Sequence, residues 1–244
     1  MQERLDVIAF APHPDDAEAA CGGLLAKLAG FGYRVAICDL TRGELATNGT
    51  VAERRAEAAA ASRALRLASR LNLELPDGGI RAHAEEQLGR VVALLRASQP
   101  RVIIGPHEAA RHPDHLETHG LVRQAQFWCG VARRFPDLPP VQRPLLLRAL
   151  DYHGMTPSFV VDISEQLDAK LQALRCYRSQ FERGADSAPT LLNDPAYLER
   201  IVTNARTYGQ LIGRRAGEPY AIDSAVMLDD PIAVLAPENS EVRA

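Results

Sequence analysis

No run of about twenty apolar residues occurs in this 244-residue chain, so no segment is long enough to cross a bilayer as a helix. The N-terminus shows no basic region followed by an apolar stretch, the pattern of a secretory signal, and the cytoplasm is the expected compartment. Cysteine is scarce and dispersed. Cys21, Cys38, Cys129 and Cys176 form no C-x-x-C pair, which argues against a disulfide framework or a thiolate metal site. Cys21, Cys38 and Cys129 sit among apolar neighbours and read as small buried hydrophobes. An excess of one charge is lacking as well. Lys and Arg number 28 against 31 Asp and Glu, a net charge of -3, with no bulk attraction to nucleic acid or a membrane surface. The glycine spacing of a dinucleotide fingerprint and the lysine of a Walker loop are both missing. No internal repeat is visible.

What is present suits one large globular unit. With 46% hydrophobic and 24% charged residues, the chain can bury a sizeable core, and residues 1–244 read as a single domain. Leu5–Ala11 and Tyr33–Leu40 are short apolar runs suited to central strands, and Ala17–Ala29 between them is an Ala- and Leu-rich helix. A parallel β-α-β unit with a right-handed crossover follows. Glu53–Ala68 reads as a helix, Arg70–Leu75 as a strand, Ala84–Ala97 as an amphipathic helix and Arg101–Gly105 as a fourth buried strand. This alternation predicts a layered α/β fold. The last third is less regular: strands are expected at Arg148–His153 and Phe159–Ile163, with helices at Ser164–Gln180 and Leu198–Gly213. Pro136–Pro144 is proline-rich and reads as a surface connection or part of an oligomer contact.

Two short clusters carry the chemistry. His13-Pro14-Asp15-Asp16 follows the first strand, and His112-Pro113-Asp114-His115 follows the fourth. Strand ends are where an α/β protein assembles a reaction centre. His13 and Asp16, three apart, can reach one point, and a histidine from the second cluster would complete a two-His, one-carboxylate site with a position open for water. Zinc suits that set, and mononuclear iron shares its ligand types. Asp15 is the spare carboxylate that could take a proton from water; either His112 or His115 could ligate while the other meets substrate. The spacing alone does not assign those roles. Either cluster alone would be explained by helix capping or a surface turn. Two of them after separate strands favour a metal site. Thr41-Arg42-Gly43-Glu44 follows the second strand and should share the same rim.

Taken with the TRGELATNGT loop, Arg54, Glu57, the segment Asp162–Phe181 and the Gly217–Tyr220 sequence GEPY, these clusters resemble the PIG-L / LmbE-like zinc-dependent N-acetylglucosaminyl deacetylases, and most closely their bacillithiol-biosynthesis branch. The resemblance implies a Rossmann-like, mostly parallel sheet flanked by helices. It implies Zn²⁺ held by His13, Asp16 and His115, Asp15 as general base, and His112 as transition-state stabiliser and general acid. Arg54, Arg143 and Tyr197 are its implied substrate contacts. A small N-acetylated sugar is the implied partner, N-acetylglucosaminyl malate in particular, together with a homo-oligomer, often a hexamer. Mycothiol-type and chito-oligosaccharide deacetylases are the enzymatic alternatives, and a sugar-binding module the non-enzymatic one. One departure stands out: Ala46-Thr47 replaces the Gly-Thr usual in that loop.

Overall fold

A computed structural model describes residues 4–150, 156–225 and 229. Its sheet contains β1 (Val7–Ala11), β2 (Val35–Asp39), β3 (Ser69–Asn72), β4 (Val102–Pro106), β5 (Leu145–Ala149), β6 (Phe159–Asp162) and β7 (Gly217–Ala221). Their order across the sheet is β3-β2-β1-β4-β5-β7-β6. The first five run parallel, and β7 pairs antiparallel with both β5 and β6. The expected α/β class with a mostly parallel sheet is therefore the observed one.

The helices are α1 (Asp16–Gly30), α2 (Val51–Ala64), α3 (Glu85–Ser98), α4 (Pro113–Trp128), α5 (Leu167–Arg175), α6 (Arg178–Phe181) and α7 (Tyr197–Leu211). Side chains of β1 alternate between the two faces. Ile8 and Phe10 pack with Leu88, Val91 and Leu95 of α3 and Leu121 and Val122 of α4. Val7, Ala9 and Ala11 pack with Leu24 and Leu25 of α1 and with Ala58 and Ala61 of α2. A strand buried on both faces must be apolar throughout, as β1 and β2 nearly are. Among the described residues no helix is long and apolar enough to cross a membrane.

From β1 the chain winds outward through β2 to β3, then returns to place β4 against the other side of β1. The β1–β4 seam is the point where the winding reverses. Helices leave the carboxyl ends of those two strands in opposite directions, which opens a crevice between them. Both His/Asp clusters begin there.

Several boundaries differ from those expected. Helix α2 starts at Val51, because Thr50 and Glu53 form a reciprocal capping box: Glu53 N–H donates to Thr50 Oγ1 at 3.2 Å, and Thr50 N–H to Glu53 Oε2 at 2.7 Å. Helix α4 was not anticipated at all. His112 caps it and Pro113 opens it, so the second cluster is the helix start as well as the strand exit. The expected strand at Arg148–His153 begins earlier, at Leu145, and its residues 151–153 lie outside the described ones. The expected helix Ser164–Gln180 is divided into α5 and α6. Strand β7 was also missed, since Gly217 and Pro219 are poor strand formers.

Beneath α1 lies a buried ion cluster. The Arg70 guanidinium donates to Asp39 through Nε (2.7 Å) and Nη2 (2.8 Å), and to Glu18 through Nη1 (2.6 Å). The Tyr177 hydroxyl gives Glu18 a second hydrogen bond at 2.8 Å. Arg70 bridges both of these buried carboxylates, so Arg70→Met is expected to destabilise the fold by about 3–5 kcal/mol. Urea unfolding of the two proteins measures this, and a loss below about 1 kcal/mol would show that the cluster is not a structural keystone.

Candidate metal-dependent active site

The turn after β1 is held in an unusual conformation. Asp15 has φ 105°, a left-handed region that costs a residue with a Cβ of order 1–3 kcal/mol. Hydrogen bonds hold it there. His13 N–H donates to Asp16 Oδ2 at 3.0 Å, and Arg54, from α2, donates to the carbonyl of Pro14 and to Asp15 Oδ2, the latter at 3.1 Å. Asp15 is buried, and Asp16 opens α1 beside it.

The same helix is broken a little further on. Cys21 has φ -139°, and the second half of α1 begins afresh with its free N–H groups capped by a distant side chain. Glu218 on β7 accepts from Gly23 N–H (2.8 Å) and Leu24 N–H (2.7 Å), while Lys170 and the Tyr220 hydroxyl bond the same carboxylate at 2.6 and 2.9 Å. Gly23 is needed for this approach, since a Cβ there would lie 2.9 Å from Glu218 Oε1 and 2.7 Å from Ile163 Cδ1. GEPY thus fixes the helix that carries the first cluster.

His13 stands at the centre of the crevice. Its Nδ1 lies 3.1 Å from Asp16 Oδ2, and its Nε2 lies 3.1 Å from Asp77 Oδ1 and 3.2 Å from Asp114 Oδ2. His115 Nε2 approaches the same Asp16 oxygen at 3.3 Å. Burial opposes the imidazolium charge, but hydrogen bonds to Asp114, Asp16 and Asp77 outweigh it and push the His13 pKa up to about 12. Burial likewise opposes the charge on Asp16, yet the neighbouring His115 and His13 hold this carboxyl well below the usual range.

Donor atoms of His13, Asp16 and His115 all lie within 4.8 Å of one another. Separations of 3.1 and 3.3 Å around the shared Asp16 oxygen are those of donors about 2.0–2.1 Å from a tetrahedral ion. The residues therefore fit zinc. His13 Nδ1 would face the ion and its Nε2–H would donate to Asp77 and Asp114, the carboxylate–histidine pairing that orients a metal ligand. His13, His112 and Asp114 form a second close group. In it His112 Nδ1 accepts the Asp114 N–H (3.2 Å) and Asp114 Oδ2 accepts the Gly78 N–H (2.7 Å).

Two groups flank the donor set. Burial raises the Asp15 pKa to about 8; Arg54 and His13 pull it down, whereas Asp16 and Glu18 push it up. At His112, burial and then the charges of His13 and His115 lower the pKa, favouring the neutral ring. Because Nδ1 accepts a backbone N–H, the ring proton of that neutral form sits on Nε2.

A cavity of about 1090 Å³ opens over these residues. His13, Asp15, Asp16, His112 and His115 line it, with Arg54 and Tyr197, so the crevice gathers seven of the eight expected site residues. Arg143 is the exception. It lies on the loop before β5, among the residues around the other end of the parallel strands, with its guanidinium 4.3 Å from the centre of the Phe127 ring. Within this chain Arg143 does not line the cavity, because the strand it precedes points its carboxyl end, not its start, at the site. Arg54 is present but engaged with Asp15 and Pro14. Asp77 and Asp114 were the residues sequence reasoning left without a role. The signal for Asp77 was its place in a Pro-Asp-Gly-Gly turn at a strand exit, the same rim as the other clusters. Glu44 of the expected rim loop accepts the Asp77 N–H at 3.0 Å, and Leu45 N–H donates to the Asp77 carboxylate at 2.9 Å. His119 bonds the Pro106 carbonyl at 3.0 Å and braces the end of β4.

The sequence matches the family described as PIG-L, GlcNAc-PI de-N-acetylase, over residues 8–126. It is 30% identical over 231 residues to the diacetylchitobiose deacetylase of Thermococcus kodakarensis, covering 87% of this chain and 80% of that one. The conserved protein TT1542 of Thermus thermophilus has a similar structure, with a TM-score of 0.83 and 37% identity over 92% of this chain and 97% of its own. N,N'-diacetylchitobiose deacetylase from Pyrococcus horikoshii follows at 0.78 and 26%, over 89% and 83% of the two chains.

The three carboxylates around His13 give a direct expectation for metal uptake. Below its pKa of about 12 the imidazole carries a proton that it must surrender in order to ligate. Zinc titrated into the metal-free protein at pH 7 should therefore release about one proton or more, measured calorimetrically in buffers of different ionisation enthalpy. No release would mean that His13 does not ligate. Asp77→Asn is expected to weaken zinc affinity by about 10–100-fold, and an unchanged affinity would remove Asp77 from the site.

Proposed function

The chain belongs to the PIG-L / LmbE-like zinc-dependent deacetylase family, and we propose that it removes the acetyl group of N-acetylglucosaminyl malate, as in bacillithiol biosynthesis. It is a metal-dependent amide hydrolase acting on an N-acetylated sugar. The observation that carries the reading is the juxtaposition in one cavity of a metal donor set, a buried carboxyl of raised pKa and a neutral imidazole donor.

In this reading His13, Asp16 and His115 would hold zinc, which would supply a Lewis acid for the acetamide carbonyl and a lowered pKa for the attacking water. Asp15 takes the proton of that water. A pKa near neutrality lets the same carboxyl return the proton to the departing nitrogen. Arg54 holds the Asp15 carboxylate in place and favours its ionised form. His112 directs its Nε2–H at the oxygen on which negative charge develops, a role that needs a donor and no net charge. This differs from a protonated His112 acting as general acid, since the bond from the Asp114 N–H occupies Nδ1. Tyr197, on the rim, contacts the substrate.

Arg111 and Arg200 also line the cavity and supply the charge that a malate carboxylate would meet. A second reading, diacetylchitobiose as substrate, is favoured by the similarity to two proteins that carry that name. One catalytic domain over residues 1–244, assembled as a homo-oligomer, is the organisation the family resemblance supports.

Acetate release by the zinc-loaded protein from N-acetylglucosaminyl malate, its inositol counterpart and diacetylchitobiose tests the assignment. Preference for the malate compound is expected, and preference for chitobiose would transfer the chain to the second reading. Asp15→Asn, a substitution that tolerates the left-handed turn, should lower kcat by about 10²–10⁴ with zinc retained. His112→Gln keeps an N–H donor and should retain more activity than His112→Ala; equal losses would restore the general-acid role. Arg54→Met removes a cation that lowers the Asp15 pKa, so the acid limb of the pH–rate profile is expected to move to higher pH. A limb that stays in place would sever Arg54 from Asp15 function.

A further inference from the structure

The rim loop after β2 supplies none of the metal donors, yet it is pinned on both sides of His13. Thr41 is buried, and its N–H and hydroxyl both donate to the carbonyl of Pro12, at 3.1 and 2.9 Å, immediately before His13 in the chain. The Asn72 amide holds the Thr41 carbonyl at 2.6 Å. The Thr41 hydroxyl oxygen accepts in turn from Gly43 N–H at 3.2 Å, which tightens the loop and sets Glu44 against the turn after β3.

There the loop and the turn exchange bonds. Glu44 Oε1 accepts the Asp77 N–H at 3.0 Å, and Leu45 N–H donates to Asp77 Oδ2 at 2.9 Å. Glu44 Oε2 accepts the Arg42 N–H at 3.2 Å, so this carboxylate spans loop and turn. One Asp77 oxygen is thereby taken by the loop, and the other, Oδ1, is left to face His13 Nε2 at 3.1 Å. The next N–H of the turn, that of Gly78, donates to Asp114 Oδ2, the second acceptor beside His13 Nε2. Both carboxylates that orient the imidazole therefore depend on where this one turn sits. A carboxylate held by a single bond can swivel. A reciprocal pair fixes it to within about 0.5 Å, the precision a preorganised site needs.

We infer that Glu44 is a positioning residue: by holding the Asp77 N–H it fixes the turn that presents Asp77 to His13, and so raises the affinity of the site for zinc, acting through Asp77 rather than as a ligand. The inference rests on the zinc-site reading above. It assigns Glu44 a task for which charge is unnecessary, since a neutral carbonyl oxygen also accepts an N–H. It places that task on an exposed residue, whose replacement leaves the core intact.

Zinc affinity of the metal-free full chain, read by competition with a chromophoric chelator, is the test. Glu44→Ala is expected to weaken binding about ten-fold, the lower end of the range for residues that brace a metal ligand. Glu44→Gln keeps an acceptor oxygen at the same reach and should stay within about two-fold of wild type. In an Asp77→Ala background no carboxylate is left to position, so Glu44→Ala should cost nothing further. Equal losses in Glu44→Ala and Glu44→Gln would overturn the inference in favour of plain charge attraction. The full factor persisting beside Asp77→Ala would overturn it too, as would an unchanged affinity in Glu44→Ala or a wild type that takes up no zinc. Because no substrate enters, each result stands apart from acetate release, which decides the sugar-amide reading separately.

Discussion

His13 is one imidazole among three carboxylates, and the geometry of the site depends on that imbalance. Asp16 comes from the start of α1, Asp77 from the turn after β3 and Asp114 from the first turn of α4. Without a positive charge between them, three acids at this spacing would repel one another and drag the flanking segments apart. In the metal-free protein a proton on His13 supplies that charge. A divalent ion beside Asp16 and His115 would supply it more strongly and leave Asp77 and Asp114 to orient the ring. The same electrostatic demand thus accounts for the fold of the rim and for its fit to a cation.

Support for this centre comes from well below it. Arg70 neutralises Glu18 and Asp39, and Lys170 neutralises Glu218, so α1 rests on paired charges on both flanks. Glu218 caps the break at Cys21, which lets the first turn of α1 follow the metal donors while its second half packs on the sheet. Asp15, the residue proposed for proton transfer, holds a left-handed φ of 105°. Arg54 stabilises the strained turn through the Pro14 carbonyl and its chemistry through the carboxylate. One cation serves conformation and pKa together.

The parallel core was legible from short apolar runs, because strands buried on both faces leave little room for polar residues. Helix α4 was hidden, since the residues that start it are the histidine cluster itself and read first as chemistry. Strand β7 was hidden by Gly217 and Pro219, which suit a sheet only where β5 and β6 supply the pairing. At the site, motif spacing after two buried strands set His13, Asp15, Asp16, His112 and His115 apart. Arg143 lies away from the cavity for a topological reason: an arginine before a strand and one after it lie at opposite ends of the sheet.

By itself, then, the sequence determined the fold class, the two clusters and their exit from buried strands, because these follow from local pattern. Only the tertiary structure decided what those residues do to each other. It closed Asp77 and Asp114 on His13, assigned the His112 ring proton through a backbone N–H and bound Arg54 to Asp15. Each of those depends on distances between segments far apart in the chain, fixed by the winding that sets β4 beside β1 rather than by any spacing a sequence displays.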